Sequence, residues 1–327
     1  MQAATDVTPA VRTVRVGPEQ ADQRIDNFLM RELKGVPRSR IYRILRRGEV
    51  RVNGGRIGPT YRLRRGDQVR IPPVRTAAPG GPARPRPELE GAVLYEDERL
   101  LAVNKPPGMA VHGGSGISQG VIEALRAARP KAPYLELVHR LDRETSGCLL
   151  VAKKRSELRT LHTLLREGGM DKRYLTLVRG CWQGGERTVR AALRKNQLRG
   201  GERMVRVDEQ GKEAETRFRP LAVLDDATLL EVELGTGRTH QIRVHAAHIG
   251  HPIAGDRKYG DEAFNRRLRE LGLKRLFLHA HSLAFTDPDR GRSVHVSAPL
   301  SADLRRVLDA LEDSGGATGD KRGDEGR

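Results

Sequence analysis

Several residue types are scarce in this chain of 327 residues, and each shortage excludes a class of protein or site. The only two cysteines, Cys148 and Cys181, are 33 positions apart, which matches no metal or redox spacing and predicts two buried, reduced thiols. Aromatic residues make up 4% of the chain. Base stacking on aromatic side chains is therefore not expected to dominate any contact with nucleic acid.

Long apolar runs are also missing. None approaches the roughly 20 residues that a membrane span requires, and the N-terminal segment MQAATDVTPAVRTVRV has no apolar core like that of a signal peptide. We therefore expect a cytoplasmic protein with no membrane partner. His245, His248 and His251 recur at three-residue spacing, but no carboxylate or cysteine completes a metal site. Since no glycine-rich nucleotide motif occurs either, we expect no metal and no small-molecule cofactor.

Positive charge is abundant and unevenly distributed. The formal net charge is +18, and residues 11–75 hold 17 Lys or Arg against 6 Asp or Glu, a net charge of +11. Such a concentration of cations favours a polyanionic partner, with phosphate contacts that make affinity depend on salt. Residues 16–75 are accordingly predicted to form a small basic nucleic-acid-binding domain, after a disordered N-terminus over residues 1–15.

Apolar spacing predicts two helices and a hairpin in this basic domain. Asp22 is expected to cap the first helix, whose apolar face is Ile25, Phe28, Leu29 and Leu33. The second helix, SRIYRILRRG, buries Ile41, Ile44 and Leu45 and ends at Gly48. The segments EVRVNGGRI and DQVRIP are predicted to be strands around a turn at Asn53–Gly54.

Residues 76–88, rich in Pro, Gly and Ala, are typical of a linker, and the polar residues 313–327 of a disordered tail. Between them, residues 89–312 mix strands (VLYED, LLAVNK, KRYLTLVRG, ATLLEVEL) with helices such as SELRTLHTLLREGG, without regular alternation. This pattern predicts an α+β catalytic domain with a mixed, largely antiparallel sheet.

Asp142, in VHRLDRETSG (residues 138–147), is the clearest candidate for chemistry. Arg140 and Arg143 favour its ionised form, which suits a nucleophile or an electrostatic partner better than a general acid. An Asp–Arg ion pair that only holds a loop is an equally open interpretation. The segment is not a kinase catalytic loop, and Asp142 with Glu144 is poorly spaced for a glycosidase pair.

The basic domain resembles the small RNA-binding domain that also occurs in a small-subunit ribosomal protein, the S4 type. The matching residues are Arg24, Asp26, Leu29, Ser39, Arg40, Gly48, Val50, Val52, Asn53 and Gly54. The resemblance implies that the second helix and the following turn face RNA. The implied RNA-binding residues are Arg38, Arg40, Arg43, Arg47, Arg51 and Asn53.

The catalytic domain resembles the pseudouridine synthases that modify ribosomal and transfer RNA. VHRLDRETSG matches their signature, and four more segments match in order: VNKPPGMAVHGG, DKRYLTLVRG, GTGRTHQIRVHAAHIGHPIAGDRKYG and RLFLHAHSLAF. Nothing in the sequence suggests an obligate dimer, so we expect a monomer. The resemblance implies an isomerase that needs no cofactor and flips a uridine out of the RNA. It then breaks the N-glycosidic bond and rejoins the base through carbon 5.

The resemblance also implies residue roles. Asp142 is the nucleophile, Tyr174 stacks on the target ring and helps to deprotonate carbon 5, and Arg238 pairs with Asp142 and the nucleotide. Arg140 fills the gap left by the flipped base, and Leu278 packs behind that base. Lys105 and His240 complete the expected substrate-binding set, although Lys105 is equally suited to fixing its own loop.

The combination of the two domains points to uridines of large-subunit (23S) ribosomal RNA and to a role in ribosome biogenesis. Two alternatives stay open. One is a synthase acting on transfer RNA, which shares the chemistry. The other is a non-catalytic RNA-binding factor for ribosome assembly, which retention of Asp142 disfavours.

Overall fold

The computed structural model describes residues 10–33, 36, 38–74, 84–113, 119–197 and 203–316. These residues divide into two compact units, one up to Arg84 and one from Pro85 onward. Residues 1–9, 75–83 and 317–327, which hold most of the predicted N-terminus, linker and tail, lie outside the described part.

The first unit is a four-stranded antiparallel sheet with two helices. Its elements are β1 (Arg12–Arg15), α1 (Ile25–Glu32), α2 (Arg38–Arg46), β2 (Arg51–Val52), β3 (Gly55–Arg56) and β4 (Gln68–Ile71), with a 3-10 turn at Pro18–Gln20. The strand order is β1-β4-β2-β3. Strand β1 corrects the predicted disorder over residues 1–15. Its polar sequence RTVR carries little local signal, and it is held by pairing with the distant β4.

The helices of this unit bury the apolar faces expected from their spacing, including Phe28, Ile41 and Ile44. The expected cap was wrong, because α1 begins after Arg24 and Asp22 instead adopts a positive φ of 62°. The hairpin turn is as predicted. Asn53 and Gly54 have φ values of 49° and 79°, the left-handed conformations that a tight two-residue turn requires.

The second unit is built on a ten-stranded sheet. Its main path is β10-β13-β14-β9-β15-β8-β6-β5, with β16 beside β15 and β7 beside β8, and β11 and β12 form a separate hairpin. The strands are β5 (Val93–Glu96), β6 (Leu100–Lys105), β7 (Glu136–Leu137), β8 (Ser146–Ala152), β9 (Met170–Arg179), β10 (Arg187–Arg190), β11 (Leu193–Gln197), β12 (Arg203–Val207), β13 (Glu215–Leu224), β14 (Ala227–Leu234), β15 (Leu278–Asp287) and β16 (Arg292–Ser297). Among the described pairings only β8 with β15 is parallel, which confirms the expected mixed, largely antiparallel α+β fold.

Six helices accompany this sheet. They are α3 (Pro87–Glu90), α4 (Val121–Ala128), α5 (Arg155–Glu167), α6 (Gln241–His248), α7 (Glu262–Glu270) and α8 (Ala302–Gly316). Two domain boundaries differ from expectation. Helix α3 begins inside the predicted linker, at Pro87, and buries Leu89 to 1% exposure, and α8 continues past residue 312. Local composition cannot show either feature, because long-range packing holds both helices.

Two expectations about the surface can be compared with the structure. Within the described residues, no helix is both long and apolar enough to cross a membrane. Cys148 is buried as expected, but Cys181 is exposed, with its thiol facing the Asp225 carbonyl at 3.0 Å. Cys181 follows the end of β9, where the chain has left the interior of the sheet.

Candidate active site

A cavity of about 780 Å³ opens in the second unit beside the loop between β7 and β8. Six of the seven residues proposed for chemistry and substrate binding line it: Asp142, Tyr174, Arg238, Arg140, His240 and Leu278. They come from that loop, from β9, from the loop before α6 and from β15. The fold therefore gathers into one site residues that are up to 138 positions apart, from Arg140 to Leu278.

The loop that carries Asp142 is tied to β8. The backbone N–H of Val138 donates to the Leu150 carbonyl at 3.0 Å, and the N–H of Leu150 donates to Nε2 of His139 at 3.1 Å. Burial lowers the pKa of His139 to about 4, so the ring is neutral and can accept this bond. Sequence reasoning missed His139, whose only signal was its place in the VHRLDRETSG segment.

Lys105 lies outside the cavity, which corrects its place among the substrate-binding residues. It is fully buried, and its ammonium donates to the carbonyls of Pro106, Met109 and Arg143 at 2.8, 2.8 and 3.0 Å. Burial lowers the pKa of Lys105 to about 7, against the charges of Glu144 and Asp142. Lys105 thus fixes the loop next to Asp142, the second of the two roles considered for it.

Arg238 does not pair with Asp142, and that expectation was wrong. Its side chain is exposed, and Nε donates to the Glu213 carbonyl at 3.0 Å. The backbone N–H of Arg238 donates to Oε1 of Gln241, also at 3.0 Å. The side chain is therefore bonded to the backbone at the edge of the cavity and not to the carboxylate.

The arginine that acts electrostatically on Asp142 is Arg243, five positions further along RTHQIRVH. Its guanidinium is bound at both ends by Asp256, with two 2.7 Å hydrogen bonds, and lies 5.0 Å from the centre of the Tyr259 ring. Burial acts to lower the pKa of Arg243, but Asp256 and Asp142 together hold it above its ordinary value. Helical spacing offered no signal for Arg243, because the six consecutive residues 241–246 of α6 are all buried.

His240 faces the Asp142 carboxylate. Its Nε2 lies 3.9 Å from Oδ2 of Asp142, and its Nδ1 lies 2.9 Å from the Tyr259 hydroxyl. The side chain of Gln241 holds the backbone around it, accepting from the Thr236 hydroxyl at 2.7 Å and donating to the Glu215 carbonyl at 2.8 Å. The loop before α6 is therefore fixed on both sides of His240.

Tyr174 and Leu278 form an apolar wall of the cavity. They come from the neighbouring strands β9 and β15, and each is less than a tenth exposed. Burial, followed by the charge of Asp142, raises the pKa of Tyr174 well above its usual value. A phenol in this environment keeps its proton, so the geometry suits stacking on a base better than proton abstraction. Arg140 is exposed at the cavity edge.

No cluster of three potential metal ligands occurs within the described part of the chain. His245, one of the three regularly spaced histidines, is fully buried and uses both ring nitrogens, facing the Thr216 hydroxyl at 2.8 Å and the Ala191 carbonyl at 2.9 Å. This histidine holds α6 against its neighbours and has no free nitrogen for an ion.

In the first unit, Arg43, Arg47 and Arg51 are exposed and Arg40 is partly exposed, while the side chain of Arg38 lies outside the described residues. Asn53 differs from expectation. Its amide donates to Asp67 at 2.9 Å and accepts from the Gln68 backbone at 2.8 Å, so this side chain braces the turn and is not free to bind RNA.

Comparison with known proteins identifies the family. The RNA pseudouridylate synthase family matches residues 99–248, and the S4 domain family matches residues 23–69. Ribosomal large subunit pseudouridine synthase C of Salmonella typhi is 57% identical over 311 residues, covering 93% of this chain and 98% of the relative. The enzyme of the same name from Escherichia coli (strain K12) is 56% identical over 314 residues, covering 94% and 98%. This chain belongs to the pseudouridine synthase family.

Solved structures support the assignment of this chain to the pseudouridine synthase family. Human RNA Pseudouridylate Synthase Domain Containing 4 is 25% identical with a TM-score of 0.58, and covers 69% of this chain and 94% of its own. Human RNA Pseudouridylate Synthase Domain Containing 1 is 27% identical with a TM-score of 0.55, covering 69% and 95%. The synthase is thus an isomerase that acts on RNA and carries an S4 RNA-binding domain.

Proposed function

We propose that the enzyme converts specific uridines of large-subunit (23S) ribosomal RNA to pseudouridine, with Asp142 as the nucleophile. The supporting observation is similarity along almost the whole chain, through both domains, to proteins named ribosomal large subunit pseudouridine synthase C. Sequence similarity confined to the catalytic unit would support a shared reaction but not a shared substrate. A likeness that includes the RNA-binding domain also supports a shared substrate.

The proposed reaction needs only groups that the cavity contains. The bond between C1′ of the ribose and N1 of uracil breaks, the detached base turns, and a bond forms between C1′ and C5. C5 loses a proton and N1 gains one, so no atom is added or lost. Asp142 makes the covalent intermediate that divides this exchange into two steps. Arg243 and His240 supply the positive field and the hydrogen-bond donor beside the carboxylate.

The cavity wall accounts for the remaining roles. Tyr174 offers a flat ring on which the flipped uracil can stack while it turns, and Leu278, in the same wall, packs behind the base. Arg140 reaches outward from the rim, where it can enter the space that the base leaves in the RNA. Arg238 is proposed to bind the RNA backbone rather than Asp142.

We propose further that residues 16–75 act as an RNA-binding domain. Its phosphate contacts are proposed to be Arg38, Arg40, Arg43, Arg47 and Arg51. The enzyme is proposed to work as a cytoplasmic monomer. The S4 match and the exposed arginines of α2 support the phosphate contacts. Analytical ultracentrifugation of the full chain, free and with RNA, tests the monomeric state.

The deciding experiment is a pseudouridine map of ribosomal and transfer RNA from a strain lacking this gene, complemented with wild type or Asp142→Asn. Sites in large-subunit RNA should disappear in the deletion and return only with wild type. Asp142→Asn should retain RNA binding, because the arginines of the first unit are unchanged.

A matched control is Glu144→Gln, which removes an exposed carboxylate two positions from Asp142 and should restore every site. An active Asp142→Asn enzyme would contradict the mechanism. Loss of sites from transfer RNA alone would move the substrate to the first alternative. A map unchanged by the deletion would remove both substrates.

A further inference from the structure

His240 stands between the reactive carboxylate and a tyrosine that no proposed role has used. Its Nε2 faces Oδ2 of Asp142 at 3.9 Å, and its Nδ1 lies 2.9 Å from the hydroxyl of Tyr259. That hydroxyl also accepts the backbone N–H of Val205 at 2.9 Å. A chain of contacts therefore runs from β12 through Tyr259 and His240 to Asp142.

The contacts of the Tyr259 hydroxyl favour one position for the proton on the His240 ring. A tyrosine hydroxyl has one hydrogen to donate, and the Tyr259 oxygen already accepts from Val205. Among the described residues, Nδ1 of His240 is the acceptor placed to receive that hydrogen. With Nδ1 as the acceptor, the proton of the neutral imidazole lies on Nε2 and faces Asp142.

We propose that His240 is a positioning residue for the isomerisation, whose Nε2–H donates to Oδ2 of Asp142 in the RNA complex, and that Tyr259 holds the ring in the tautomer this requires. The inference rests on Asp142 being the nucleophile. The 3.9 Å separation belongs to the RNA-free chain, and contacts of this kind commonly tighten when substrate is bound.

The surroundings of His240 suit a neutral donor. Burial lowers its pKa; Asp142 and Asp256 oppose this lowering, while Arg243 and Lys258 add to it. A neutral imidazole orients one carboxylate oxygen without the full ion pair that would reduce the reactivity of the nucleophile. Arg243 is itself engaged by Asp256 at both ends, so orientation of Asp142 falls to His240.

The backbone at His240 carries a cost that this role explains. Its φ of 54° and ψ of 20° lie in the left-handed region, at the position just before α6. Few residues other than glycine adopt this conformation, and asparagine adopts it more readily than most. Packing alone would therefore be satisfied by a smaller residue, and the imidazole places a donor where such a residue has none.

Two substitutions separate positioning from structure. In His240→Gln the amide nitrogen takes the place of Nε2 and keeps a donor toward Asp142, but in His240→Asn the amide reaches only the place of Nδ1. We expect Gln to retain kcat within about threefold of wild type and Asn to lower it by at least about 30-fold, with KM for RNA changed less than about twofold. The measurement is release of tritium from carbon 5 of labelled uridine in a large-subunit RNA transcript.

A double-mutant cycle tests the part assigned to Tyr259. Tyr259→Phe should lower kcat by about fivefold in the wild-type chain and by less than about twofold in His240→Gln, because glutamine has no tautomer for the hydroxyl to select. If the hydroxyl acted only by accepting from Val205, its removal would lower kcat by the same factor in the wild-type chain and in His240→Gln. Thermal unfolding of each variant checks that the chain remains folded during the assay.

The outcomes distinguish this inference from the proposed function. If Asn matches or exceeds Gln in kcat, the left-handed backbone is the only requirement at position 240 and the positioning role is overturned. If Tyr259→Phe lowers kcat equally in the wild-type chain and in His240→Gln, the proposal that Tyr259 selects the His240 tautomer is overturned. An active Asp142→Asn enzyme would instead remove the proposed nucleophile, whatever the result at His240.

Discussion

At the scale of single residues, burial separates two arginines of one motif. The Arg243 side chain is 10% exposed and is held by a fully buried Asp256, whereas the Arg238 side chain is exposed and donates to the Glu213 carbonyl. A planar guanidinium held at both ends keeps its charge at a fixed place, and a charge in a dry site acts more strongly than one in water. Of these two arginines, Arg243 is therefore the one whose charge is held in place near Asp142.

Replacing each arginine with lysine tests this difference. Arg243→Lys should lower kcat by at least about 100-fold, since one ammonium cannot reproduce the two-ended contact with Asp256. Arg238→Lys should stay within about tenfold and act mainly on KM, because it keeps a cation at the rim. Single-turnover kinetics with both variants gives the comparison. A larger kcat loss in Arg238→Lys would restore the pairing first expected from the sequence.

At the scale of elements, the parallel pair of β8 and β15 joins the nucleophile loop to the base-binding wall. Gly147 on β8 pairs with Ala280 on β15, and it has a φ of 109°. A Cβ at Gly147 would lie 2.2 Å from the Ala280 carbonyl oxygen. Next to Gly147, the hydroxyl of Ser146 lies 2.9 Å from Nδ1 of His279. Burial lowers the pKa of His279 to about 4. This close approach of two backbones needs glycine.

Gly147→Ala should destabilise the protein by about 3 kcal/mol or more, because a methyl group must displace a strand backbone as well as adopt a strained φ. Gly184→Ala is the control. Its φ is 79°, but no atom lies within 4 Å of the added Cβ, so only the conformational cost of about 1 kcal/mol remains. Urea unfolding of both variants measures the difference. Equal losses would show that the approach to Ala280 is not limiting.

At the scale of the whole molecule, positive charge is concentrated in the first unit, which holds none of the residues proposed for the chemical step. The first unit carries the exposed cations Arg43, Arg47 and Arg51, while the reactive residues lie together in the second unit. Binding through phosphates releases counterions, which makes affinity salt-dependent without changing the chemical step. We therefore expect RNA affinity and turnover to be separable by mutation.

Replacing Arg43, Arg47 and Arg51 together with Gln should reduce the slope of log affinity against log salt by about 2, the value for three lost phosphate contacts on single-stranded RNA. Turnover at saturating RNA should be unchanged. A control with the same loss of charge is the triple replacement of Arg269, Arg305 and Arg306, which are exposed on α7 and α8. Filter binding from low to moderate salt measures the slopes. A collapse of saturated turnover would mean that the first unit helps to build the active site.

Several features of the fold and the site follow from local patterns and contiguous motifs in the sequence. Helical spacing placed Ile41 and Ile44 in the core, Asn53–Gly54 formed the tight turn, and the motif around Asp142 indicated the chemistry. These features depend on neighbours along the chain.

The tertiary structure decided what depends on distant neighbours. It selected Arg243 over Arg238, enclosed Lys105 among three carbonyls and paired β1 with β4. It also brought the Tyr259 hydroxyl to within 2.9 Å of Nδ1 of His240, 19 positions away. Burial and long-range hydrogen bonds fix each of these, because both arise only when segments far apart in the chain pack together.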